Sequence, residues 1–258
     1  MQPLPEVRTN AIDVFRMTES KKIHFLYRFQ FENGTEKSFD VVLDEKSLEL
    51  VRDEPKTKPE WTKLKFSQCE NCPLSDDVEY CPVAVSLAGL VESFSDCVSY
   101  EAATVIVETR ERTFLKKTTV QKGLSGIIGI YMATSNCPIL SKMRPMTRFH
   151  LPFANSFETF FRSISSYITA QLLLMRRGET PDWDLKGLQE IYKEVNTVNK
   201  GMTARLHMAT EKDANINAVV ILHSFGDGIS YFIESGLTEL EPMFSAILNK
   251  NESSEQEP

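Results

Sequence analysis

The stretch Lys22-Ile-His-Phe-Leu-Tyr-Arg-Phe-Gln-Phe-Glu-Asn-Gly34 decides the fold of this chain. Apolar side chains, most of them aromatic, occupy every second position from Ile23 to Phe31, which is the period of a β-strand with one buried face. Asn33-Gly34 follows, and both residue types accept the positive φ angles of a tight hairpin turn. The sequence therefore predicts a β-hairpin that returns through residues 36–43.

A second hairpin is predicted further along the chain. Residues 82–94 begin with proline and are mainly apolar, which indicates a helix with proline at its first position. Residues 98–108 and 113–121 then have the composition of two strands joined by a charged turn. Two hairpins of this kind predict a small antiparallel sheet.

The second half of the chain is predicted to be helical. Asn155 and Glu158 have the spacing of a capping box, and apolar residues recur behind them at helical spacing. Asp184 is expected to cap the next helix, and further helices are expected from about Asp213 and near Pro242. We therefore predict an α+β fold, in which two β-hairpins form a small antiparallel sheet that packs with a mostly helical C-terminal half of about four helices.

Changes in composition along the 258 residues predict the domain organisation. We expect an irregular N-terminal arm at residues 1–21 and an α+β lobe with the hairpins and cysteines at residues 22–150. A helical lobe follows at residues 151–250, and the polar residues 251–258 form a disordered tail. The chain is long enough to bury a sizeable core.

Charge and hydropathy exclude several classes of function. The 29 basic and 36 acidic residues give a net charge of −7, whereas non-specific binding to nucleic acid or anionic membranes needs a basic face. We find no signal-peptide pattern at the N-terminus and no unbroken apolar run of about 18 residues. The sequence predicts a cytoplasmic protein with no nucleic-acid or membrane partner, and it does not indicate the oligomeric state.

The cysteines form the candidate metal site. Cys69 and Cys72 have the C-x2-C spacing with which two thiolates bind one ion from a tight turn. Cys81 and Cys137 each precede a proline that is expected to begin a helix, and a helix N-terminus favours the thiolate. Since cytoplasmic thiols stay reduced, we predict that Cys69, Cys72, Cys81 and Cys137 bind zinc, as a staple between the sheet and the helical half.

Several alternatives to this zinc site stay open. An iron–sulfur cluster could replace the zinc ion, although the spacing lacks the compactness of bacterial ferredoxins. Cys97 or His150 could replace Cys137 as the fourth ligand. The thiols could also be plain core side chains, or Cys69 and Cys72 could be a redox pair.

Three further side chains are candidates for binding an anion. Arg144, Arg148 and His150 lie in the segment Arg144-Pro-Met-Thr-Arg-Phe-His-Leu-Pro152, whose prolines argue against a regular helix. Arginine binds carboxylate and phosphate groups through paired N–H donors. In the alternative interpretation, the two arginines pair with acidic residues at the surface.

Glycines also recur at three-residue spacing, at Gly123, Gly126 and Gly129. This spacing matches neither the P-loop nor the dinucleotide-binding fingerprint. Because residues three apart share one side of a helix, the pattern predicts close packing of a helix against its neighbours.

Four motifs together resemble a known family: Cys69-x2-Cys72-Pro, Tyr80-Cys-Pro-Val-Ala84, Asn136-Cys-Pro138 and Arg144-Pro-Met-x-Arg-Phe-His-Leu-Pro-Phe153. The chain resembles, over roughly residues 22–248, a bacterial family whose domain has no assigned function. The resemblance implies a bacterial, cytosolic setting and no mechanism.

The sequence contains no Ser-His-Asp order, HExxH pair or nucleophile elbow. We therefore expect a non-enzymatic, metal-stabilised module in sensing or protein interaction, with another protein or a small anionic ligand as its partner. The alternative is a metal- or thiol-dependent enzyme or redox sensor that acts on an anionic ligand bound by Arg144, Arg148 and His150.

Overall fold

The computed structural model describes residues 21–52 and 57–249 of the chain. The predicted N-terminal arm, apart from residue 21, and the predicted tail at residues 251–258 lie outside the described residues. The expectation of an irregular arm and of a disordered tail therefore stays a prediction.

Four strands form a single antiparallel sheet with the order β2-β1-β3-β4. Both predicted hairpins are present, and they join edge to edge because β1 of the first hairpin pairs with β3 of the second. The strands are β1 (Lys22–Phe31), β2 (Glu36–Asp44), β3 (Ala102–Glu108) and β4 (Thr113–Thr119).

The helices lie mainly in the C-terminal half, so the predicted α+β fold is confirmed. Three precede residue 150 and four follow it within the described residues. They are α1 (Pro82–Ser93), α2 (Val120–Ala133), α3 (Pro145–Arg148), α4 (Ser156–Arg176), α5 (Lys186–Ala209), α6 (Ala214–Tyr231) and α7 (Glu241–Leu248).

The alternation in β1 gives the sheet one buried and one solvated face. Phe25, Tyr27, Phe29 and Phe31 are all buried, as the aromatic period predicted. On the opposite face Arg28 pairs with Glu108 of β3 at 2.5 Å. The buried aromatic face is the platform on which α2 packs, and it carries Tyr27 into the candidate site described below.

Local capping signals set the starts of two long helices. The predicted capping box begins α4, since the Glu158 N–H donates to Asn155 Oδ1 (2.9 Å) and the Asn155 N–H donates to Glu158 Oε2 (2.8 Å). The predicted cap of α5 at Asp184 is wrong. Asp182 accepts the N–H of Gly187 instead (2.7 Å), because the chain turns through a left-handed residue, Leu185, before the helix begins.

Helix α6 continues through a π-helical and a 3-10 segment into α7, so residues 214–248 form one helical run. In the described part of the chain, this run is the one helix long and apolar enough to cross a membrane by length and composition, and 33% of its most apolar window is buried. A core helix meets the same criterion. Ala218, Val219 and Ile229 of α6 are buried in the fold, and the cytoplasmic location stays a prediction.

The glycines of α2 allow close packing on three neighbours, as their spacing predicted. A Cβ at Gly123 would lie 2.7 Å from both Phe29 Cε1 and Val105 Cγ2 of the sheet. One at Gly126 would lie 3.0 Å from the Tyr27 hydroxyl, and one at Gly129 would lie 3.6 Å from Leu222 of α6. The glycines thus bring α2 close to both the sheet and the helices.

We predict that Gly123→Ala lowers the free energy of unfolding by about 1–3 kcal/mol, because the added methyl group overpacks fully buried side chains. Gly89→Ala is the matched control, since Gly89 is an exposed residue of α1 with nothing within 4 Å of an added Cβ. The control variant should gain about 0.5–1 kcal/mol from lower backbone entropy in the unfolded chain. Urea unfolding of both variants measures the two effects, and equal stabilisation would contradict the close approach.

Candidate functional site

The segment that leads from the sheet to the cysteines is held by a buried arginine of α5. This segment forms two short 3-10 turns, Glu60–Thr62 and Leu64–Phe66. The Arg205 guanidinium is 1% exposed and donates to the carbonyl oxygens of four residues. They are Trp61, Lys63 (2.6 Å), Leu64 (3.1 Å) and Ser67 (2.7 Å).

Cys69, Cys72 and Cys81 follow this held segment. The Cys72 N–H donates to the Cys69 carbonyl (3.1 Å), so the two residues share the tight turn that their spacing predicted. Cys81 is the N-cap residue of α1, with Pro82 at the first position of the helix, as predicted. Cys81 is buried and Cys69 and Cys72 are half-buried, with all three thiols free.

Cys137 lies in the turn that follows α2. The predicted helix start at Pro138 is wrong, because a turn precedes a short 3-10 helix at Leu140–Met143. Burial raises the pKa of the Cys137 thiol, while the N–H groups of Leu140 and Ile139 bind its sulfur and lower the pKa. The backbone thus offers the thiolate the same kind of stabilisation that a helix start was expected to give.

The four predicted ligands lie within electrostatic reach of one another. Burial raises the pKa of Cys69 to about 12, and the charges of Cys81, Cys72 and Cys137 raise it as well. The positive charge of Arg205 has the opposite effect on Cys69. Cys97 stands apart, since the hydrogen-bond partners of its sulfur are Lys37 (3.4 Å) and Asp96 (3.6 Å).

The four thiols are near one another, but they are not arranged as the ligands of a metal ion. Across residues 21–52 and 57–249, no three histidine, cysteine, aspartate or glutamate side chains are arranged so that they could hold a metal ion. Charges act over distances approaching about 10 Å, whereas a zinc–sulfur bond is only about 2.3 Å long. A four-thiolate site would therefore require the sulfurs to move closer together.

The three candidate anion ligands have separate partners. Arg144 contacts Glu49 Oε1 (3.4 Å) and the Asn136 amide oxygen (2.8 Å), and Arg148 contacts Glu45 Oε1 (3.2 Å). Both arginines thus pair with acidic residues, which is the alternative that the sequence left open. The His150 side chain contacts other residues, Tyr27 and Phe25.

The His150 ring is enclosed between the sheet and α2. Its Nε2 lies 2.5 Å from the Tyr27 hydroxyl, and its ring meets the Phe25 ring edge-on at 5.3 Å. Burial lowers the pKa of His150 to about 3, and the charge of Arg162 lowers it further, so the ring is neutral at neutral pH. In the neutral ring, Nε2 accepts a hydrogen bond from the Tyr27 hydroxyl, and the ring proton is on Nδ1.

Tyr27 and His150 form part of the wall of a cavity of about 440 Å³. The cavity lies between α2, the segment at residues 140–155 and helices α4, α5 and α6, and its lining is mostly apolar. Arg162 of α4 and Tyr192 of α5 complete a polar corner with Tyr27 and His150. Its volume lies within the range of about 300–1,000 Å³ that small-molecule sites occupy.

Arg162 is a functional candidate that the sequence pattern did not reveal. Its Nη2 donates to the Met146 carbonyl (2.9 Å), while its Nε is buried without a hydrogen-bond partner. Burial lowers the pKa of Arg162, and the charges of Tyr192 and Glu158 act in the opposite direction. The only sequence signal is an arginine between Phe161 and Ser163 inside an apolar stripe, which also fits a surface residue.

Residues 25–245 match the model of a family described as Domain of unknown function (DUF6901). The chain belongs to this family. The match includes the cysteines, the polar corner, most of β1 and the other three strands, and it confirms the predicted resemblance to a domain of unknown function. No curated protein and no solved structure matches the chain. The bacterial origin stays a prediction.

In this DUF6901 domain, we predict that His150 makes folding pH-dependent. Its pKa is about 3 in the folded chain and 6.5 ordinarily, so the unfolded chain takes up the proton first as the pH falls. The contribution of neutral His150 is therefore complete above about pH 6.5 and is lost toward about pH 3, at up to about 1.4 kcal/mol per pH unit.

Urea unfolding of the wild type and of His150→Gln between about pH 7 and pH 4 measures this effect, since glutamine does not titrate. The variant should lose less stability per pH unit than the wild type. Parallel profiles would show that the ring is not buried in its neutral form.

Proposed function

We propose that this protein is a non-enzymatic sensing module that binds a small, mainly apolar molecule in the cavity beside Tyr27 and His150. One observation carries this proposal. A cavity of about 440 Å³ with a mostly apolar wall includes Tyr27, His150, Arg162 and Tyr192 in its lining, and the charge of Arg162 acts on both His150 and Tyr192. This combination is typical of small-molecule sites, in which apolar walls supply affinity and a few polar groups fix orientation.

The protonation states of the polar corner favour binding over catalysis. Burial raises the pKa of Tyr27 far above its ordinary value and lowers that of His150 to about 3. A general acid or base works best when its pKa is near the operating pH. Both groups instead keep fixed protonation states at neutral pH, which suits them to hold a ligand in one orientation.

The position of the cavity suits a sensing role. Its walls come from the sheet and α2 on one side and from α4, α5 and α6 on the other. A ligand would therefore touch elements from both halves of the chain at once. A ligand that binds only when the two halves are packed together stabilises that packing by mass action. Ligand binding would therefore change how firmly the two halves are held together.

We predict that decanol, a neutral probe with an apolar chain, raises the melting temperature of the purified protein. At a concentration of ten times its Kd, a ligand adds about 1.4 kcal/mol to the free energy of unfolding. Gly129→Met should reduce this response, because Gly129 lines the cavity and the longer side chain takes up its space. Differential scanning calorimetry measures both effects.

Gly89→Met is the matched control for this experiment, since Gly89 lies on an exposed face of α1 outside the cavity lining. It should keep the full response to decanol. If the two variants respond alike, the decanol effect is not due to the cavity. If the wild type does not respond, the binding proposal fails.

We also propose that Cys69, Cys72, Cys81 and Cys137 form a structural zinc centre. The proposal is supported by the convergence of four thiols from three separate segments and by the buried cation beside them. Burial lowers the pKa of Arg205, and the negative charges of Cys81, Cys69 and Cys72 raise it. A zinc ion with four thiolates has a net charge of −2, which a buried guanidinium would partly offset.

In such a site, the residues would act as a staple rather than as a reactive centre. Cys69 and Cys72 belong to the segment held by Arg205, Cys81 begins α1, and Cys137 follows α2. Bound zinc would hold the thiols as thiolates and contribute to the free energy of folding. An iron–sulfur cluster on the same residues is the alternative occupant.

Elemental analysis of protein purified without oxygen should find one zinc per chain. Cys72→Ser and Cys137→Ser should each lose most of it, since a structural site needs all four ligands. Cys97→Ser is the control and should retain the metal, because the Cys97 sulfur contacts Lys37 and Asp96. A brown, iron-containing protein would indicate the cluster instead. Metal-free wild type, or full zinc retention in Cys137→Ser, would contradict the proposed ligand set.

A further inference from the structure

We infer that the ligand of the cavity is a monoanionic carboxylate with an apolar body, and that the Arg162 guanidinium binds its head group. This inference rests on the proposed function and adds the class of ligand to it. It depends on the charge of the lining, the free hydrogen-bonding capacity of Arg162 and the protonation of its neighbours.

The cavity lining is cationic although the protein is acidic. Lys116, Lys122 and Arg162 belong to the lining, and no aspartate or glutamate does. The chain as a whole has a net charge of −7. A positively charged cavity wall in a protein with a negative net charge favours a negatively charged ligand.

Arg162 has capacity that the described residues do not use. Its guanidinium makes one hydrogen bond, to the Met146 carbonyl, and its buried Nε has no partner. Within residues 21–52 and 57–249 it forms no ion pair, whereas Arg144 and Arg148 are paired with acids. A half-buried cation without a counter-charge is unfavourable, and a carboxylate on the accessible part of the guanidinium would offset that cost.

A second polar group on the wall is also free. Asn199 of α5 is 2% exposed and lines the cavity, and its side-chain amide makes no hydrogen bond to the described residues. By contrast, the Tyr192 hydroxyl is bound to Ser163 (2.9 Å) and the Tyr27 hydroxyl to His150. Arg162 and Asn199 are therefore donors available to a ligand, in addition to the exposed Lys116 and Lys122.

The polar corner has a single positive charge, which one negative charge on a ligand would neutralise. His150 is neutral and Tyr27 keeps its proton, so Arg162 supplies the full positive charge there. Lys116 and Lys122 are exposed, and the Lys116 ammonium lies over the Phe153 ring (5.9 Å). A carboxylate is neutralised by one guanidinium, whereas a phosphate monoester at neutral pH would leave a buried negative charge unpaired.

The rest of the wall fits an apolar body. Met143, Met146, Leu151, Leu222 and Phe225 line the cavity. Methionine side chains are flexible and polarisable, so they adapt to ligands of different shape. The site therefore fits a carboxylic acid with an alkyl or aromatic body better than a small, fully polar acid.

Calorimetric titration of the full chain with four probes of equal chain length tests this assignment. The probes are decanoate, decanol, decylammonium and decyl phosphate, each kept below its micelle concentration. In the wild type, decanoate should bind about ten- to a hundredfold more tightly than decanol, because a hydrogen bond to a charged group adds that much affinity. Decylammonium should bind most weakly.

Two variants with the same loss of charge identify the residue responsible. Arg162→Met should abolish the preference for decanoate over decanol, measured as the ratio of the two affinities within that variant. Arg148→Met, which removes an exposed arginine outside the cavity lining, should keep that preference. Circular dichroism confirms that each variant is folded, and if Arg162→Met does not fold, the four wild-type affinities still decide.

The outcomes separate this inference from the proposed function. If decanol binds and decanoate binds no more tightly, the cavity is a binding site but the carboxylate assignment is wrong. Tighter binding of decyl phosphate, or an equal loss in both arginine variants, also overturns the assignment. If none of the four probes binds, the proposed function fails together with it.

Discussion

The contact between the Arg205 guanidinium and four backbone carbonyls is the interaction on which the cysteine segment depends. Between residues 57 and 81 the chain forms two short 3-10 turns and one isolated β-bridge, so several of its carbonyl groups depend on partners outside a helix or strand. Arg205 supplies donors to four of them from α5. The same contact holds Cys69 against that helix, since a Cβ at Gly201 would lie 2.7 Å from the Cys69 sulfur. A single buried cation therefore helps to position the turn that carries Cys69 and Cys72.

The surroundings of the arginines separate structural from binding roles. Arg205 donates to four carbonyl oxygens, and Arg144 and Arg148 have acidic partners at the surface, although the Nε of Arg205 and of Arg144 is also unpartnered. Arg162 has one carbonyl, a buried Nε without a partner and a place in a cavity wall without acids. Because a half-buried charge without a counter-ion is unfavourable, the arginine in the cavity wall is the one that an anionic ligand would complete. Arg162 is thus identified as the binding arginine by its place in the cavity wall and by its lack of an ion pair with the described residues.

Features that depend on neighbours in sequence could be predicted, and those that depend on packing could not. The alternation at residues 23–31 and the capping box at Asn155 are local, and both appear as expected. Arg162 and Arg205 acquire their surroundings from elements far away in the chain, so no spacing reveals them. Asp182 accepts the N–H of Gly187 because Leu185 has a left-handed backbone conformation, which no sequence pattern predicts. Arg144, Arg148 and His150 are close in sequence, but the chain passes through the short helix α3 there and their side chains contact different partners.

Helix α5 connects the two candidate sites. Asn199 lines the cavity, while one residue earlier the Val198 carbonyl lies 4.0 Å from the Cys69 sulfur. One turn before that, the Glu194 carbonyl accepts the Asn71 side-chain amide at 3.0 Å, which ties the cysteine turn to the same helix. A regular helix is a rigid element, so a change in its position at the cavity would also change its position at the thiols. A metal bound there would in turn hold the cavity wall in place, since α5 cannot shift without stretching the segment that Arg205 and the cysteines secure.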